Sequence, residues 1–222
     1  MKQYKKDFIE LLVQADALKF GEFTLKSGRI APYFLNIGSF YTGELFSKLG
    51  EAYVEALQDS GIDVDVIFGP AYKGIPLSVV MTSILYSKHN VNKKYCFDRK
   101  EVKEYGMKDA LIGAPLDENT SVIMVDDVIT AGTAIRGSVE TLKKNGNPKI
   151  KGVLIAMDRM EKNNDGIGAL KAIEEDFGFP VFSIVNLDEV IEALYNQEVD
   201  GKVYIDDEMM EVIKKYRAEY GV

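Results

Sequence analysis

Four consecutive apolar residues, Val122-Ile123-Met124-Val125, run directly into two carboxylates, Asp126 and Asp127. No other stretch restricts the fold of this chain so tightly. The run is β-branched, unbroken by polar residues and too short for a helix, which fits a strand buried on both faces. Such a strand demands a packed layer above and another below. After the carboxylates come Val128-Ile129-Thr130-Ala131-Gly132-Thr133-Ala134, small and hydroxylated at the centre, and then Ile135, Val139 and Leu142 at helical spacing. Strand, small-residue loop and helix entrance follow one another without a gap.

The rest of the chain repeats that alternation. Phe8, Leu11, Leu12 and Ala15 predict a first amphipathic helix, and Leu45, Leu49, Val54 and Leu57 a second, closed by Ser60-Gly61. Strands are expected at Val64–Phe68, Lys94–Phe97, Lys151–Met157 and Val181–Val185, with helices at Ile75–Tyr86, Ile167–Phe177, Leu187–Leu194 and Met209–Tyr220. Strands alternating with helices imply a parallel sheet of about five strands, covered on both faces and joined by right-handed crossovers. Before this pattern, Phe23-Thr24-Leu25 and Tyr33-Phe34-Leu35 read as short strands around a Ser27-Gly28-Arg29 turn, a small hood carrying Lys26 and Arg29 at its tip. The expected organisation is one domain over 1–222, with residues 1–40 contributing the hood and 41–222 the α/β core.

Composition removes several function classes. With 46% hydrophobic residues in 222, the chain can bury a substantial core, and its net charge of −8 opposes a nucleic-acid surface. Cys96 is the only cysteine and His89 the only histidine, so no intramolecular disulfide, histidine-cluster metal site or Ser-His-Asp triad can be built. No apolar run reaches the roughly 18 residues of a membrane helix, and the N-terminus lacks a signal-peptide pattern. A cytoplasmic protein is expected. Gly166-Ile167-Gly168 lacks the third glycine of a dinucleotide fingerprint, and no Walker A motif is present.

Ligands of open parallel sheets bind beyond the carboxyl ends of the strands. That rule gathers Gly69–Gly74, Asp126–Thr133 and Asp158-Arg159 on one rim. The Thr130–Ala134 helix entrance suits a phosphate, which free backbone N–H groups and the positive helix end attract. Two adjacent carboxylates would repel a bare phosphate. They fit a ligand that also carries sugar hydroxyls and a divalent cation, and a ribose phosphate with Mg²⁺ meets all three demands. The alternative for Asp126-Asp127 is an ordinary strand-to-helix turn with a capping side chain; for Gly69–Gly74 it is a plain turn with Lys73 solvated. Asp98–Gly113 adds Arg99, Lys100, Lys103 and Lys108 among acidic residues, with glycines that grant mobility. Arg159 suits a planar acceptor bearing carbonyl and carboxylate oxygens, against the alternative of a surface pair with Asp158 or Glu161.

Val122–Ala134 resembles the phosphoribosyl-pyrophosphate (PRPP) signature of the type I phosphoribosyltransferases. Lys19–Arg29, Phe68–Pro76, Asp98–Glu101 and Asp158-Arg159 are similar to the orotate phosphoribosyltransferases, over nearly the whole chain. The resemblance implies transfer of a phosphoribosyl group from PRPP to orotate. It assigns PRPP contacts to Lys26, Tyr72, Lys73, Arg99, Lys100, Lys103, Tyr105 and Asp126–Ala134, and orotate contacts to Lys26, Phe34, Leu35, Thr130 and Arg159. It implies catalytic roles for Lys73, Lys103, Asp126 and Asp127, and Mg²⁺ carried by PRPP with no direct protein ligand, reached at most through water from the two aspartates. It further implies a homodimer whose mobile loop 98–113 enters the neighbouring site. Tyr105 stands where many relatives carry histidine, so the loop's main cation here is Lys103, and a weaker activity dependence between about pH 6 and 7 is expected. Rival readings are a purine phosphoribosyltransferase, which lacks a reason for the hood lysine and Arg159; a nucleic-acid-binding sensor of PRPP, which this acidic chain does not favour; and a structural α/β subunit, which has no need of the aspartate pair.

Overall fold

The computed structural model describes residues 1–25, 28–100, 110–163 and 166–222. Its centre is a six-stranded sheet in the order β5-β4-β3-β6-β7-β8, built from β3 (Val66–Gly69), β4 (Lys94–Asp98), β5 (Leu111–Gly113), β6 (Ser121–Asp126), β7 (Lys149–Asp158) and β8 (Val181–Asn186). Five of these strands are parallel, as the alternation predicts. The sixth, β5, runs antiparallel along the edge of β4, pairing Leu111 with Asp98 and Gly113 with Cys96. It lies inside the stretch expected to be loop, and three residues among charged neighbours carry no period by which to see it.

Strand β6 explains why both faces are covered. Val122 and Met124 pack into one cluster with Ile135, Val139 and Leu142 of α4 (Thr133–Lys144) and Ile173 of α5 (Ala169–Phe177). Ile123 and Val125 point the other way, as alternate residues of a strand must. There they meet the layer formed by α1 (Gln3–Gln14), α2 (Gly43–Ser60), α3 (Gly74–His89), α6 (Leu187–Leu194) and α7 (Asp207–Tyr220). All four residues are at most 0% exposed.

A hairpin of β1 (Leu18–Thr24) and β2 (Ile30–Leu35) forms the hood. Strand β1 starts earlier than expected because a register shift between Phe20 and Phe23, at Gly21, breaks its alternation. Leu18, Ala31 and Tyr33 share the core of the α1–α2 layer, so the hairpin is anchored to the sheet domain by apolar burial. A two-stranded ribbon, β9 (Glu198–Val199) with β10 (Lys202–Val203), precedes α7; at two residues per strand it is also invisible to pattern. Among the described residues no helix is long and apolar enough to cross a membrane.

The order of the strands locates the ligand crevice. From β3 the chain crosses to β4 on one side, and later returns to place β6 on the other side. The sheet therefore reverses its winding between β3 and β6, and the loops after those two strands splay apart there.

Candidate active site

The loop after β3 is held flat by contacts that only glycine permits. A Cβ on Gly69 would stand 1.9 Å from the Gly74 carbonyl oxygen, and one on Gly74 would stand 2.7 Å from that of Val125. The loop thus lies directly on the end of β6. Its Ala71 N–H donates to Asp98 Oδ1 at 2.7 Å, so the last residue of β4 fixes it from the far side. In sequence, Asp98 stands out only within the family-like segment Asp98–Glu101, with no role assigned to it. The Ala71–Tyr72 peptide is cis, and the Tyr72 ring is exposed beneath Lys100 Nζ, which lies 4.4 Å from its centroid.

Lys73 crosses the crevice. Its ammonium donates to Asp127 Oδ2 at 2.5 Å, while Asp127 Oδ1 accepts from the Val128 N–H at 2.9 Å. Asp126 Oδ1 accepts the Asp127 N–H at 2.9 Å. Both aspartates are buried, at 9% and 8% exposure. Burial, and then the negative charge of Asp127, pushes the Asp126 carboxyl up to about 7, although Lys73 pulls against this. The two carboxylates thus differ: one is salt-bridged, the other shares its environment with a near neighbour of like charge. Their backbone is pinned from both layers, since the Tyr53 hydroxyl of α2 donates to the Asp126 carbonyl at 2.7 Å and Ala156 of β7 donates to that of Asp127 at 3.0 Å.

Beyond them the turn climbs into α4. Gly132 occupies the N-cap in the left-handed region, φ 71°, and no side chain caps the helix. The N–H groups of the first turn have no intrahelical acceptor, and Thr130, Ala131, Thr133 and Ala134 around them are exposed. This is an open anion cradle. Ile129 differs from its neighbours: its side chain is buried against the α4–α5 cluster, so only its backbone is available to a ligand, and Val128 is half-buried.

Arg159 follows β7 and is largely buried, with its side chain 16% exposed. Its Nη2 donates to Glu161 Oε1 at 2.7 Å, an inward ion pair where a surface pair was the alternative. The guanidinium also lies 5.4 Å from the centroid of the Tyr33 ring. In the hood it is Tyr33 that meets Arg159. Phe34 sits on the opposite face of β2, 42% exposed and stacked on Phe23 at 5.6 Å, and Leu35 packs on the core. Arg99 donates its backbone N–H to Ala110 at 2.9 Å, and its buried Nε has no partner.

Lys26, Lys103 and Tyr105 lie outside the described residues, as does most of the stretch 98–113. Among the described residues no group of three or more His, Cys, Asp or Glu side chains is arranged to hold a metal ion. Both Asp127 oxygens are already engaged. The donor set suits a cation that arrives on a phosphorylated ligand and meets these carboxylates through water.

The model of the phosphoribosyl transferase domain matches residues 38–181. An orotate phosphoribosyltransferase of Photobacterium profundum is 50% identical over 222 residues, spanning 100% of both chains. One from Clostridium acetobutylicum is 46% identical over 223 residues, again with 100% of each covered. The crystal structure of the Francisella tularensis orotate phosphoribosyltransferase superposes with a TM-score of 0.84 at 40% identity, covering 97% of this chain and 100% of that one. A phosphate cradle, a paired-aspartate turn and a bridging lysine at the sheet's winding reversal, together with this likeness over the full length, establish that the chain belongs to the orotate phosphoribosyltransferases.

Proposed function

We propose that the chain transfers the 5-phosphoribosyl group of PRPP to orotate, giving orotidine 5′-monophosphate and pyrophosphate in pyrimidine biosynthesis, with the residue roles that follow. A pyrimidine ring nitrogen, losing its proton to solvent, bonds to the anomeric carbon with inversion as the bond from that carbon to the pyrophosphate oxygen breaks. Bond breaking runs ahead of bond making, so the sugar becomes cationic while the leaving group gains negative charge. Catalysis then rests on position and field, with no protein nucleophile.

The 5′-phosphate sits on the uncapped start of α4, held by backbone N–H groups of Thr130–Ala134 and the hydroxyls of Thr130 and Thr133. Asp126 and Asp127 accept from the ribose hydroxyls and favour positive charge on the ring. Lys73 and the backbone at Tyr72 hold pyrophosphate, joined by Arg99, Lys100 and Lys103, with Tyr105 as an uncharged hydrogen-bonding partner. Mg²⁺ carried on PRPP supplies charge neutralisation of the diphosphate. Orotate lies under the hood, oriented by Arg159, Lys26 and Thr130, with Phe34 and Leu35 offering it the β2 backbone, since their side chains leave on opposite faces of the strand. The observation that carries this scheme is the 2.5 Å Lys73–Asp127 bond across the crevice beside an uncapped helix start. It brings a diphosphate cation and a sugar-binding carboxylate within one ligand's reach.

We further assign a homodimer in which each stretch 98–113 serves its neighbour's site, and a cytoplasmic location. Helix α3 is apolar on more than its core face, leaving Val79 39% and Tyr86 63% exposed. Cys96 points to the α4–α5 layer, so Tyr95 and Phe97, stacked at 6.2 Å, point to the α3 side of the sheet edge. Exposed apolar residues of this kind suit burial against a second copy.

Orotate consumption with PRPP and Mg²⁺, measured on wild type and Asp126→Asn side by side, tests the scheme. Wild type is expected to turn over and the variant to lose at least about a hundredfold, the usual effect of removing one preorganised charged contact. Lys103→Ala is expected to lose about a hundredfold in turnover with the fold intact; near-wild-type turnover removes Lys103 from the scheme.

A further inference from the structure

The turn that carries Arg159 is more heavily fastened than a surface loop requires. Met160, between Arg159 and Glu161, is a non-glycine residue in the left-handed region, φ 53°. Asp158 Oδ1 accepts its N–H at 2.9 Å, closing an Asx turn that offsets the cost of that conformation. The reversal at Met160 brings the two flanking side chains to the same side, where Glu161 Oε1 takes the Arg159 Nη2 at 2.7 Å. The same oxygen accepts the Tyr33 hydroxyl of the hood, also at 2.7 Å. Tyr33 is 1% exposed and its ring meets Tyr216 edge-on at 5.9 Å. The end of the chain adds a strap: Lys162 N–H donates to Tyr220 at 2.8 Å, Val222 N–H donates to Met160 at 3.0 Å, and Glu161 bridges Gly221.

A buried ion pair is a poor device for stability alone, because desolvating both charges offsets most of their attraction. This pair also leaves donors over. A guanidinium offers five N–H donors, Glu161 takes one, and Arg159 Nε is buried with no partner. The arginine is therefore oriented by one carboxylate and under-satisfied until another acceptor arrives. A planar acid with adjacent carboxylate and carbonyl oxygens is such an acceptor.

The geometry points to Glu161, anchored by the Tyr33 hydroxyl, as the positioning residue that aims Arg159 at the pyrimidine substrate. Glu161 touches no substrate; it sets the rotamer of the arginine and couples it to the hood, so hood and rim move as one. This rests on the reading of Arg159 as an orotate contact. Because Glu161 acts through its acceptor oxygen, glutamine at that position keeps both hydrogen bonds while removing the charge.

Steady-state kinetics with orotate and PRPP varied separately test this. Glu161→Ala is expected to raise KM for orotate about tenfold or more while KM for PRPP stays within about twofold, since misplacing a binding group by an ångström costs on this scale. Glu161→Gln is expected to restore orotate KM to within about threefold of wild type. If Glu161→Ala fails to fold, Tyr33→Phe, which removes a single oxygen, is expected to raise orotate KM selectively. An unchanged or lowered orotate KM, equal rises in both constants, or a glutamine variant as impaired as alanine each overturn the assignment. Arg159→Ala separates the two layers: a raised orotate KM there with silent Glu161 and Tyr33 variants sinks this inference alone, whereas an orotate KM unaffected by Arg159→Ala sinks both.

Discussion

Asp126 is held at the end of a fully buried strand, and that placement gives it a proton affinity no exposed aspartate has. Its carboxyl is pushed from the ordinary range to about 7 by burial and by Asp127. A group protonated more tightly in the folded than the unfolded chain stabilises the fold below its unfolded pKa, and that contribution is lost as pH rises through the folded value. The ligand-free protein should therefore lose stability as pH climbs from about 4 to about 7, and Asp126→Asn should flatten that slope; urea midpoints across the interval measure both. Binding adds the complementary sign. A ribose hydroxyl donates to a carboxylate, so PRPP binding should release a proton near pH 6.5 in wild type and none from this position in Asp126→Asn. Calorimetry in buffers of different ionisation enthalpy reads that proton directly. An inflection near pH 7 in PRPP affinity that Asp126→Asn abolishes belongs to Asp126, whereas one that persists in the variant belongs to the phosphates of PRPP, whose second ionisation falls at about pH 6. Asp126, Asp127 and Lys73 were legible as residues because their types and spacing carry chemistry. The roles of Glu161, Tyr33 and Asp98 were not. Glu161 was visible only as a surface partner of Arg159, Asp98 only within the family-like segment Asp98–Glu101, and Tyr33 only as a strand residue. Each acts by a hydrogen bond across elements, and the reversal at Met160 has no mark in sequence.

Elements become a site where two of them leave no room for side chains. Gly69 closes the loop against the backbone of Gly74 and Ile75, and Gly74 closes it against Gly69, the Pro70 ring and the Val125 carbonyl at the end of β6. Neither wall can yield as a flexible side chain would. Gly69→Ala should push the loop off β6, separate Lys73 from Asp127, and lower kcat/KM for PRPP about a hundredfold. Gly132→Ala is a gentler case. Its Cβ would meet Ile173 Cδ1 at 2.5 Å, which can swing aside, so the main cost is the left-handed backbone, about 1–2 kcal/mol. A thermal scan should register that loss, and a raised KM for PRPP should accompany it, because Gly132 shapes the mouth of the cradle. The same elements show what periodicity can and cannot reveal. Strands β6, β7 and β8 were visible as apolar runs because both their faces are buried. The edge strand β5 and the β9–β10 ribbon were not, because pairing at an edge is decided by the neighbour's free backbone groups and leaves little trace in the side chains.

At the scale of the molecule, Val79, Tyr86 and Tyr95 are exposed apolar residues, and among the described residues few cations are free for a ligand bearing three phosphates. Lys73 is spent on Asp127 and Lys100 lies over Tyr72. The arrangement makes sense if the remaining positive charge comes from a second copy, and mixed dimers can decide it. Lys103→Ala and Asp126→Asn homodimers should each be nearly inactive. If the stretch around Lys103 serves the neighbouring site, a hybrid dimer pairs the intact Asp126 of one subunit with the intact Lys103 of the other, restoring one complete site. Its second site carries both lesions. Random reassortment of equal amounts makes about half the dimers hybrid, so about a quarter of wild-type activity should return on mixing through denaturant or by co-expression. If each stretch serves its own subunit, every site in every dimer retains one lesion and mixing recovers nothing. With each parent dimer nearly inactive, the two topologies thus differ by about a quarter of the wild-type signal against a background near zero.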